Sequence, residues 1–312
     1  MKTCIPAVAL LALPCSLFAS QTIEGVSASG AQALSGAQAQ LVIKAFAPRH
    51  RHYRPLPAAY EPPDETAPGQ YVPCRRPLVY INQDREIYKD GVRLGRDARE
   101  YRTSCTGDTA WVDGSNRIYK NEQVLGDAAK NFAIAKHTGD VAWLDLSNYI
   151  YKDGARLGTS ARQFEINDLR GTVVWTDMSD AIYKDDVRLG TEAQSFQTAK
   201  QTGDVAWMTR GGEMYRNSEK LGCEASQFSV HGFTGEVVWT TRTGDIYRGS
   251  ELLGRDASRF ELAYYSGDVA WVDRYGKMYK NGQRLGDDCA DFKIESDGRI
   301  LWHDRYGRYH IG

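Results

Sequence analysis

The apolar and polar positions of the chain repeat in a fixed order, and residues 132–158 contain one copy of that order. Four short apolar runs in this copy are separated by turn-forming residues: 132–136, 140–145, 149–152 and 155–157. Between the last two runs, Asp153 and Gly154 form a strong hairpin signal, because a type I′ turn needs positive φ at both central positions. Each copy therefore predicts a four-stranded antiparallel meander.

The second run of this copy indicates how the meanders stack. Val141 and Trp143 point to one side of the predicted strand, and Ala142 and Leu144 point to the other. An antiparallel sheet with one face in water would alternate apolar and polar residues. We therefore predict that both faces of each sheet are covered by neighbouring sheets.

A tryptophan occupies the same place in successive copies, and a tyrosine and a Leu-Gly pair follow it at nearly constant distances. A period this regular indicates a repeat protein. The tryptophans are separated by steps of 32 residues, with a last step of 31: Trp111, Trp143, Trp175, Trp207, Trp239, Trp271 and Trp302. Tyr80 fills the tryptophan slot of an earlier copy, and the tyrosine slot is assigned to Tyr88, Tyr119, Tyr151, Tyr183, Tyr215, Tyr247, Tyr279 and Tyr309. The Leu-Gly pairs begin at Leu94, Leu125, Leu157, Leu189, Leu221, Leu253 and Leu285.

Small meanders in tandem, each covered on both sides, close most economically into a β-propeller. The pattern resembles the broad group of bacterial β-propeller repeat proteins over residues 71–312. It matches no specific family, since its period is shorter than the roughly 40–45 residues of a WD40 blade. We predict an all-β propeller of about eight short four-stranded antiparallel blades, with seven blades and an open β-solenoid as alternatives. The chain stops at Gly312 before an eighth fourth strand, which the segment 40–46 is a candidate to supply.

The first 20 residues have the pattern of a secretory signal peptide, with Lys2 followed by an apolar run. Cys15 offers a lipid anchor as an alternative, although the residues before it match a lipoprotein box poorly. No later stretch approaches the about 18 apolar residues of a membrane-spanning helix. We predict a protein that is secreted, periplasmic or on the cell surface. Residues 21–77 form an arm rich first in Ala, Gly and Ser and then in Pro, and 78–312 form the repeat domain.

Cleavage of the signal peptide leaves Cys74, Cys105, Cys223 and Cys289. An even number of cysteines in an exported chain favours disulfides. Cys74 and Cys105 fall in the same strand of consecutive copies, so we expect them to be bridged. This pairing leaves Cys223 and Cys289 as a second predicted bridge, with buried free thiols as the alternative.

The predicted hairpin register places Trp143 opposite Tyr151, and Arg156 opposite the same tyrosine. An aromatic pair beside a guanidinium is typical of a sugar-binding platform, because ring faces contact the C–H faces of pyranoses. Repetition of the platform would give a multivalent lectin. Inter-blade packing of the same rings is the alternative, which a mid-strand tryptophan favours. The candidate ligand-binding residues are Trp143, Tyr151, Arg156, Trp175, Tyr183, Arg188, Trp271, Tyr279 and Arg284.

Positive side chains follow the repeated tyrosine, and acidic side chains recur at the start of each second run. The positive positions are Lys89, Lys120, Lys152, Lys184, Arg216, Arg248 and Lys280, with His310 in the last copy. The acidic positions are Asp108, Asp140, Asp204, Glu236 and Asp268. Such a ring of positive charge could bind an acidic polymer, but balanced cross-strand pairs are the interpretation we favour. The formal net charge of −1 gives no reason to expect a nucleic acid or an anionic membrane as a partner.

Catalysis has little support in the sequence, because neither a metal-binding motif nor a nucleophile elbow occurs. Carboxylates two residues after tryptophan stand where a hairpin turn begins, which favours turn capping: Asp113, Asp145, Asp177, Asp273 and Asp304. We predict a monomeric binding module with no cofactor and no metal, whose leading ligand class is carbohydrate or cell-surface glycan. The alternative is a scaffold that binds a protein partner through its variable loops, and a propeller enzyme is third. Those loops are 103–107, 136–139, 168–171, 200–203, 231–235 and 264–267.

Overall fold

A computed structural model describes Cys74 and residues 76–312, which belong to one compact unit. This part of the chain contains thirty β-strands and no helix. The strands form eight antiparallel sheets, here called blades 1–8 in chain order. The prediction of an all-β propeller of about eight short blades with a 32-residue repeat is thereby confirmed. The predicted signal peptide, the N-terminal arm up to residue 73 and the candidate strand 40–46 lie outside the described residues.

Each blade is a meander in which neighbours in sequence pair with each other. Blade 1 has β1 (Val79–Ile81), β2 (Ile87–Lys89) and β3 (Val92–Gly95). Blade 2 has β4 (Ala98–Thr103), β5 (Thr109–Asp113), β6 (Ile118–Lys120) and β7 (Gln123–Gly126). Blade 3 has β8 (Ala129–Ile134), β9 (Val141–Asp145), β10 (Ile150–Lys152) and β11 (Ala155–Gly158). Blade 4 has β12 (Ala161–Ile166), β13 (Val173–Asp177), β14 (Ile182–Lys184) and β15 (Val187–Gly190).

The later blades repeat this order. Blade 5 has β16 (Ala193–Thr198), β17 (Val205–Thr209), β18 (Met214–Arg216) and β19 (Glu219–Gly222). Blade 6 has β20 (Ala225–Val230), β21 (Val237–Thr241), β22 (Ile246–Arg248) and β23 (Glu251–Gly254). Blade 7 has β24 (Ala257–Leu262), β25 (Val269–Asp273), β26 (Met278–Lys280) and β27 (Gln283–Gly286). Blade 8 has β28 (Cys289–Ile294), β29 (Ile300–Asp304) and β30 (Tyr309–Ile311). By register, the described strands of blade 1 are its second to fourth and those of blade 8 its first to third.

The turns inside a blade follow from short-range chemistry. Asp153 and Gly154, between β10 and β11, have φ values of 45° and 86°, as a type I′ turn requires. The turn between β9 and β10 is held by Asp145, whose Oδ1 accepts hydrogen bonds from the backbone N–H of Ser147 at 2.9 Å and of Tyr149 at 2.7 Å. In blade 5 Thr209 stands in place of the aspartate, and its Oγ1 accepts from the N–H of Glu213 at 2.9 Å. The prediction that the carboxylate after tryptophan caps a turn is confirmed here.

Consecutive blades pack face to face, and the second strand of a blade is covered on both sides. All five residues of β9 are buried. We call the side of a blade that carries the tryptophan its front face and the other side its back face. The back face of blade 2, with Ala110 and Ile118, shares one buried cluster with Trp143 on the front face of blade 3. The prediction that neighbouring sheets cover both faces is therefore confirmed for the interior blades.

The Leu-Gly pair exists because the tryptophan of one blade lies against the glycine of the preceding blade. A Cβ atom placed on Gly222 of blade 5 would lie 2.5 Å from Cη2 of Trp239 in blade 6. Any side chain larger than hydrogen would therefore separate the two blades. Trp239 also stacks on Tyr247 of its own blade, with ring centroids 4.5 Å apart. One repeated contact thus explains why tryptophan, tyrosine and glycine recur with the same period.

In the last blade the structure corrects the assignment of two slots. His310, not Tyr309, pairs with Trp302 and stacks on it, with ring centroids 4.0 Å apart. The partner of each tryptophan lies eight residues after it, as in the pairing of Trp271 with Tyr279, and the predicted Tyr309 stands one residue too early. The slot for the positive side chain therefore holds Ile311, so the prediction of His310 at that position was wrong.

The structure contains the predicted Cys74–Cys105 disulfide. Cys105 lies in the loop after β4 rather than in the strand, but it joins consecutive repeats as expected. The second predicted bridge is wrong, because Cys223 and Cys289 form no disulfide. Cys289 begins β28 in a slot that other blades fill with alanine, and its thiol lies against Met278. Cys223 follows β19, in a different slot of a blade that is three blades away.

Candidate functional site

The predicted sugar platform has the predicted register. Trp143 pairs with Tyr151 across β9 and β10, and Tyr151 pairs with Arg156 across β10 and β11. The two aromatic rings are stacked, with centroids 4.1 Å apart and an interplanar angle of 8°. Blades 4 and 7 have the same arrangement with Trp175, Tyr183 and Arg188, and with Trp271, Tyr279 and Arg284.

The tryptophans of this platform are closed to a ligand. Trp143, Trp175 and Trp271 are each only 2% exposed, because the preceding blade covers the indole. A sugar needs a free ring face for stacking, so the prediction that these three residues contact a ligand is wrong. The alternative interpretation, that the rings pack between blades, is correct for them.

The tyrosines of the platform are half-buried, and their hydroxyls are engaged within the blade. The hydroxyl of Tyr183 donates to Oδ2 of Asp177 at 3.2 Å. Burial raises the pKa of Tyr183, and the nearby Asp177 carboxylate raises that pKa further. Burial alone would raise the pKa of Asp177, but hydrogen bonds from Ser179 and from the backbone of Ala181 outweigh it and lower that pKa. The neutral hydroxyl of Tyr183 thus donates to the ionised carboxylate of Asp177, and both groups serve to stabilise the turn within the blade.

Blade 5 shows that this hydroxyl contact is kept when its acceptor changes. Thr209 stands where blades 2, 3, 4 and 7 have the capping aspartate, and the hydroxyl of Tyr215 donates instead to Oε2 of Glu213 at 3.1 Å. An aspartate in blade 4 and a glutamate in blade 5 therefore hold the tyrosine in the same position, which indicates that packing of the blade requires the tyrosine to be fixed there.

The arginines of the platform remain exposed, and one of them lines a cleft. Arg156 lies over the ring of Tyr149 at 5.5 Å from its centroid. A cleft of about 660 Å³ opens where blades 3 and 4 meet, and it is lined in part by Arg156, Asp177, Ser179 and Tyr183. Arg188 is exposed in blade 4, and Arg284 forms an ion pair with Asp287. Only the polar part of the predicted platform therefore faces solvent.

The ring of positive charge is neutralised within and between blades. Lys152 lies 3.5 Å from Asp140 of its own blade and 3.8 Å from Asp185 of the next. Arg216 lies 2.6 Å from Asp204. Burial alone would raise the pKa of Asp204, but hydrogen bonds from Arg216 and Asn217 outweigh it and lower that pKa. The interpretation as balanced cross-strand pairs is confirmed for these residues.

In blades 3–7 the loops between the first and second strands share one backbone frame. In blade 5 the N–H of Ala199 donates to the carbonyl of Asp204, and the N–H of Gly203 donates to the carbonyl of Ala199. Equivalent bonds close the loops that begin at Ala135, Asn167, His231 and Ala263. We call these segments the frame loops. The first two middle residues of each frame differ from blade to blade, as in 200–201 and 264–265. The third is Thr or Ser in four of the five loops, and its hydroxyl accepts the N–H two residues later: Thr138, Thr202, Thr234 and Ser266.

Contacts join the loops between the first and second strands of consecutive blades from blade 2 to blade 8. The Cys74–Cys105 disulfide joins the loop of blade 2 to the segment before β1. Backbone hydrogen bonds join four further pairs of blades: Cys105 N to Lys136 O, His137 N to Asp168 O, Gln201 N to Gly232 O, and Tyr265 N to Ser296 O. Two buried polar side chains complete the series. The amide of Asn167 donates to the carbonyl of Ala199 at 2.8 Å, and Nε2 of His231 lies 2.8 Å from the carbonyl of Tyr264.

His231 has its hydrogen on Nε2, because the carbonyl of Tyr264 can only accept. Its Nδ1 lies 2.8 Å from Oγ1 of Thr234, so both ring nitrogens are used within the fold. His231 is 3% exposed. It therefore serves as a structural link between blades 6 and 7.

An aromatic group lies on the frame loops of blades 6 and 7, where other blades have mainly polar residues. We call Phe233, Tyr264 and Tyr265 the aromatic patch. Their ring centroids lie 5.1–5.6 Å apart, and all three side chains are half-buried. The ammonium of the exposed Lys200 lies over the ring of Tyr264 at 5.1 Å. The sequence identified these loops as variable but not these residues, for which the only signal was aromatic residues inside a turn.

Comparison with known proteins adds no assignment of function. No family model matches the chain, and no curated protein matches it significantly. Among solved structures, the chain is similar to a eukaryotic initiation factor, with 11% identity, 66% of this chain and 70% of that chain covered, and a TM-score of 0.38. It is also similar to the C-terminal WD40 domain of Sif2 (11% identity, 75% and 88% covered, TM-score 0.32). A third similar structure is the β-propeller domain of Cps50 (Swd1) from Myceliophteria thermophila (10% identity, 69% and 96% covered, TM-score 0.30).

Two further properties concern only the described residues. None of their His, Cys, Asp and Glu side chains come together in a group of three that could hold a metal ion. They also include no helix with the length and apolar character needed to cross a membrane.

Proposed function

We propose that the protein is an exported scaffold that binds a protein partner through its frame loops. The proposal rests on one observation: within each repeat, different residues form the packing contacts and the exposed loop surface. Trp143 and its equivalents are used in packing, whereas the frame loops keep one backbone and vary their side chains. Binding residues are commonly found on such loops, positioned by a rigid scaffold.

The contacts between frame loops support this role. Each frame loop is held both by its own backbone bonds and by a hydrogen bond to a neighbouring blade. A surface that is already ordered loses little conformational entropy on binding, and a larger part of its contact energy therefore appears as affinity. The Cys74–Cys105 disulfide also supports export, since such bonds persist in oxidising compartments.

The aromatic patch supports a partner of particular chemistry. Half-buried aromatic rings beside a positive charge are typical of the energetically dominant centre of a protein interface. Phe233 and Tyr264 offer apolar contact area, and Lys200 adds a positive charge at its edge. The partner segment is therefore expected to present an apolar side chain close to a carboxylate.

Selection of peptides from a displayed random library on the full-length chain tests this proposal. We expect selected peptides to combine apolar and acidic residues, and a Phe233→Ala/Tyr264→Ala variant to lose at least tenfold in affinity for them. The matched control is Tyr275→Ala, which removes an exposed aromatic side chain from a turn of blade 7 outside the frame loops. Failure to select any peptide, or equal losses in the variant and its control, would overturn the proposal.

Carbohydrate binding is a second candidate, in a form that does not use the tryptophans. The cleft between blades 3 and 4 presents the exposed Arg156 guanidinium, a hydrogen-bonding group suited to sugar hydroxyls, beside Asp177 and Tyr183, which bond to each other. Binding to a glycan array that is lost in Arg156→Ala and kept in Phe233→Ala/Tyr264→Ala would support this candidate. The opposite pattern would exclude it in favour of the scaffold.

A further inference from the structure

The two ends of the blade array expose apolar side chains in slots that are buried everywhere else. On the front face of blade 1, Leu78 is 70% exposed and Tyr80 43% exposed, whereas the tryptophans in the slot of Tyr80 are 2–6% exposed. On the back face of blade 8, Leu301 is 43% exposed and Tyr309 is 85% exposed. Ile150, in the slot of Tyr309, is fully buried. We call these surfaces the front end and the back end.

The two ends are the two halves of one kind of interface. Inside the array, the back face of each blade meets the front face of the next, as Ala142 and Ile150 of blade 3 meet Trp175 of blade 4 in one cluster. The front end carries the slot of Trp175, and the back end carries the slots of Ala142 and Ile150. The described strands of the back end thus correspond to the first three strands of the surfaces that the front faces of interior blades cover, without the fourth strand that carries the Leu-Gly pair.

The side chains at the two ends also differ from the interior in a compensating way. The front slot changes from tryptophan to the smaller Tyr80, and the back slot changes from alanine or valine to the larger Leu301. These two slots contact each other across interior interfaces, where Ala110 shares a cluster with Trp143. Since close packing requires the summed volume to be conserved, the two changes fit each other.

The back end is also less charged than an interior back face. The slot that holds Lys152 in blade 3, where it reaches Asp185 of blade 4, holds Ile311 in blade 8. Ile311 is 79% exposed. A surface that replaces an inter-blade ion pair with an isoleucine is suited to an apolar contact.

We propose that the back end of one copy binds the front end of a second copy, so that the chain associates head to tail. In the part of the chain that the structure describes, both ends are exposed at the same time, so blade 8 does not pack on blade 1 and the ring of blades is open between them. A head-to-tail contact uses two different surfaces and leaves one of each kind open in a dimer. Further copies then add until a ring closes or an open chain grows. This inference replaces the expectation of a monomer and does not depend on what the frame loops bind.

Sedimentation velocity on the full-length chain over a range of concentrations tests the proposal. The wild type is expected to exceed twice its monomer mass as its concentration rises. Leu301→Glu removes the back end, Tyr80→Glu removes the front end, and each variant alone is expected to stay monomeric. An equimolar mixture of the two variants is expected to form a dimer and nothing larger, because only one intact surface of each kind is present. Leu146→Glu is the matched control, since Leu146 is 60% exposed away from both ends, and it is expected to associate like the wild type.

Two results would overturn the proposal. One is a wild type that stays monomeric up to its highest soluble concentration, which means that the ends are covered within one chain. The other is a mixture of the two variants that stays monomeric while the wild type associates, which means that another surface is responsible. Circular dichroism of each variant should match that of the wild type because the changed side chains are exposed. Tyr309→Ser provides a second back-end variant if Leu301→Glu does not fold.

Discussion

Substitution of one glycine by alanine should separate two blades and lower the stability of the chain. Gly222 is the glycine of a Leu-Gly pair in blade 5, and Trp239 of blade 6 lies against it. Gly211 in the same blade provides a control, because its φ lies outside the left-handed region and the atom nearest to a new Cβ would be Oγ1 of Thr209 at 3.6 Å. Gly222→Ala and Gly211→Ala therefore add the same methyl group to one crowded site and one open site.

The size of the stability loss in Gly222→Ala follows from the distances between the new Cβ and the indole of Trp239. The new Cβ would lie 2.5 Å from Cη2 and 2.6 Å from Cζ2 of Trp239, about 1 Å inside an ordinary contact of roughly 3.5–4.0 Å. The indole cannot retreat easily, since its Nε1 donates to the carbonyl of Gly249 at 2.7 Å and its ring stacks on Tyr247. Overpacking of this kind costs about 1–3 kcal/mol, and the lower unfolded-state entropy of alanine offsets about 0.4–1 kcal/mol of that cost. The expected net loss for Gly222→Ala is about 1–2 kcal/mol, whereas Gly211→Ala should stay within about 0.5 kcal/mol of the wild type.

Urea unfolding followed by circular dichroism measures both free energies of unfolding. The clash is assigned to the indole by repeating Gly222→Ala in a Trp239→Phe background, where Cη2 and Cζ2 are absent and the loss should shrink. Equal losses for Gly222→Ala and Gly211→Ala would refute the reasoning. An undiminished loss in the Trp239→Phe background would show that the cost does not come from the indole.

Three other expectations follow from features described above. The hydrogen-bonded Asp177 carboxylate has a lowered pKa, so the stability it contributes is present above the ordinary aspartate pKa of about 3.8 and is lost as the pH falls through its pKa in the folded protein. The difference in unfolding free energy between wild type and Asp177→Asn should therefore be largest near neutral pH and shrink below about pH 4. Urea titrations at several pH values measure this difference. Reduction of the Cys74–Cys105 disulfide, whose cysteines are 31 residues apart, should lower the free energy of unfolding by about 3–4 kcal/mol in the loop-entropy account. A melting temperature that does not respond to reductant would contradict this expectation. A Cys289→Ser variant is the control and should respond to reductant as the wild type does. Glu192 has a φ of 62°, which is unfavourable for a residue other than Gly, Asn or Asp. Glu192→Asn should therefore raise the free energy of unfolding by about 0.5–1 kcal/mol. A lower melting temperature for this variant would count against backbone strain at this position.

The sequence alone was sufficient for the local structure of the blades. Asp153-Gly154 determines a turn through its own backbone preferences, and the spacing of Trp143 and Tyr151 then fixes the hairpin register. The Cys74–Cys105 bridge could be predicted because the repeat places the two residues in equivalent slots. These features depend on contacts between residues close in sequence, and the same residues recur in several copies of the repeat.

The errors arose where the outcome depends on a neighbouring blade or on the end of the array. Periodicity identifies Trp143 as important but does not show that Gly126 of the preceding blade covers its ring. Tyr309 was placed in the wrong slot because the last repeat offers a tyrosine one residue before the true partner, His310. The buried links Asn167 and His231 were not predicted, because their carbonyl partners lie one blade away and follow no side-chain pattern.

The shared backbone of the frame loops has a consequence for how the surface can change. The bonds that close each loop, such as that from Gly203 to Ala199, join backbone atoms, and most links to the next blade do so as well. The first two middle residues of a loop, such as Tyr264 and Tyr265, can therefore be exchanged with little effect on the loop that presents them. A mutation there alters what the surface contacts while the sheets beneath stay the same, so the chain can acquire new specificities one blade at a time.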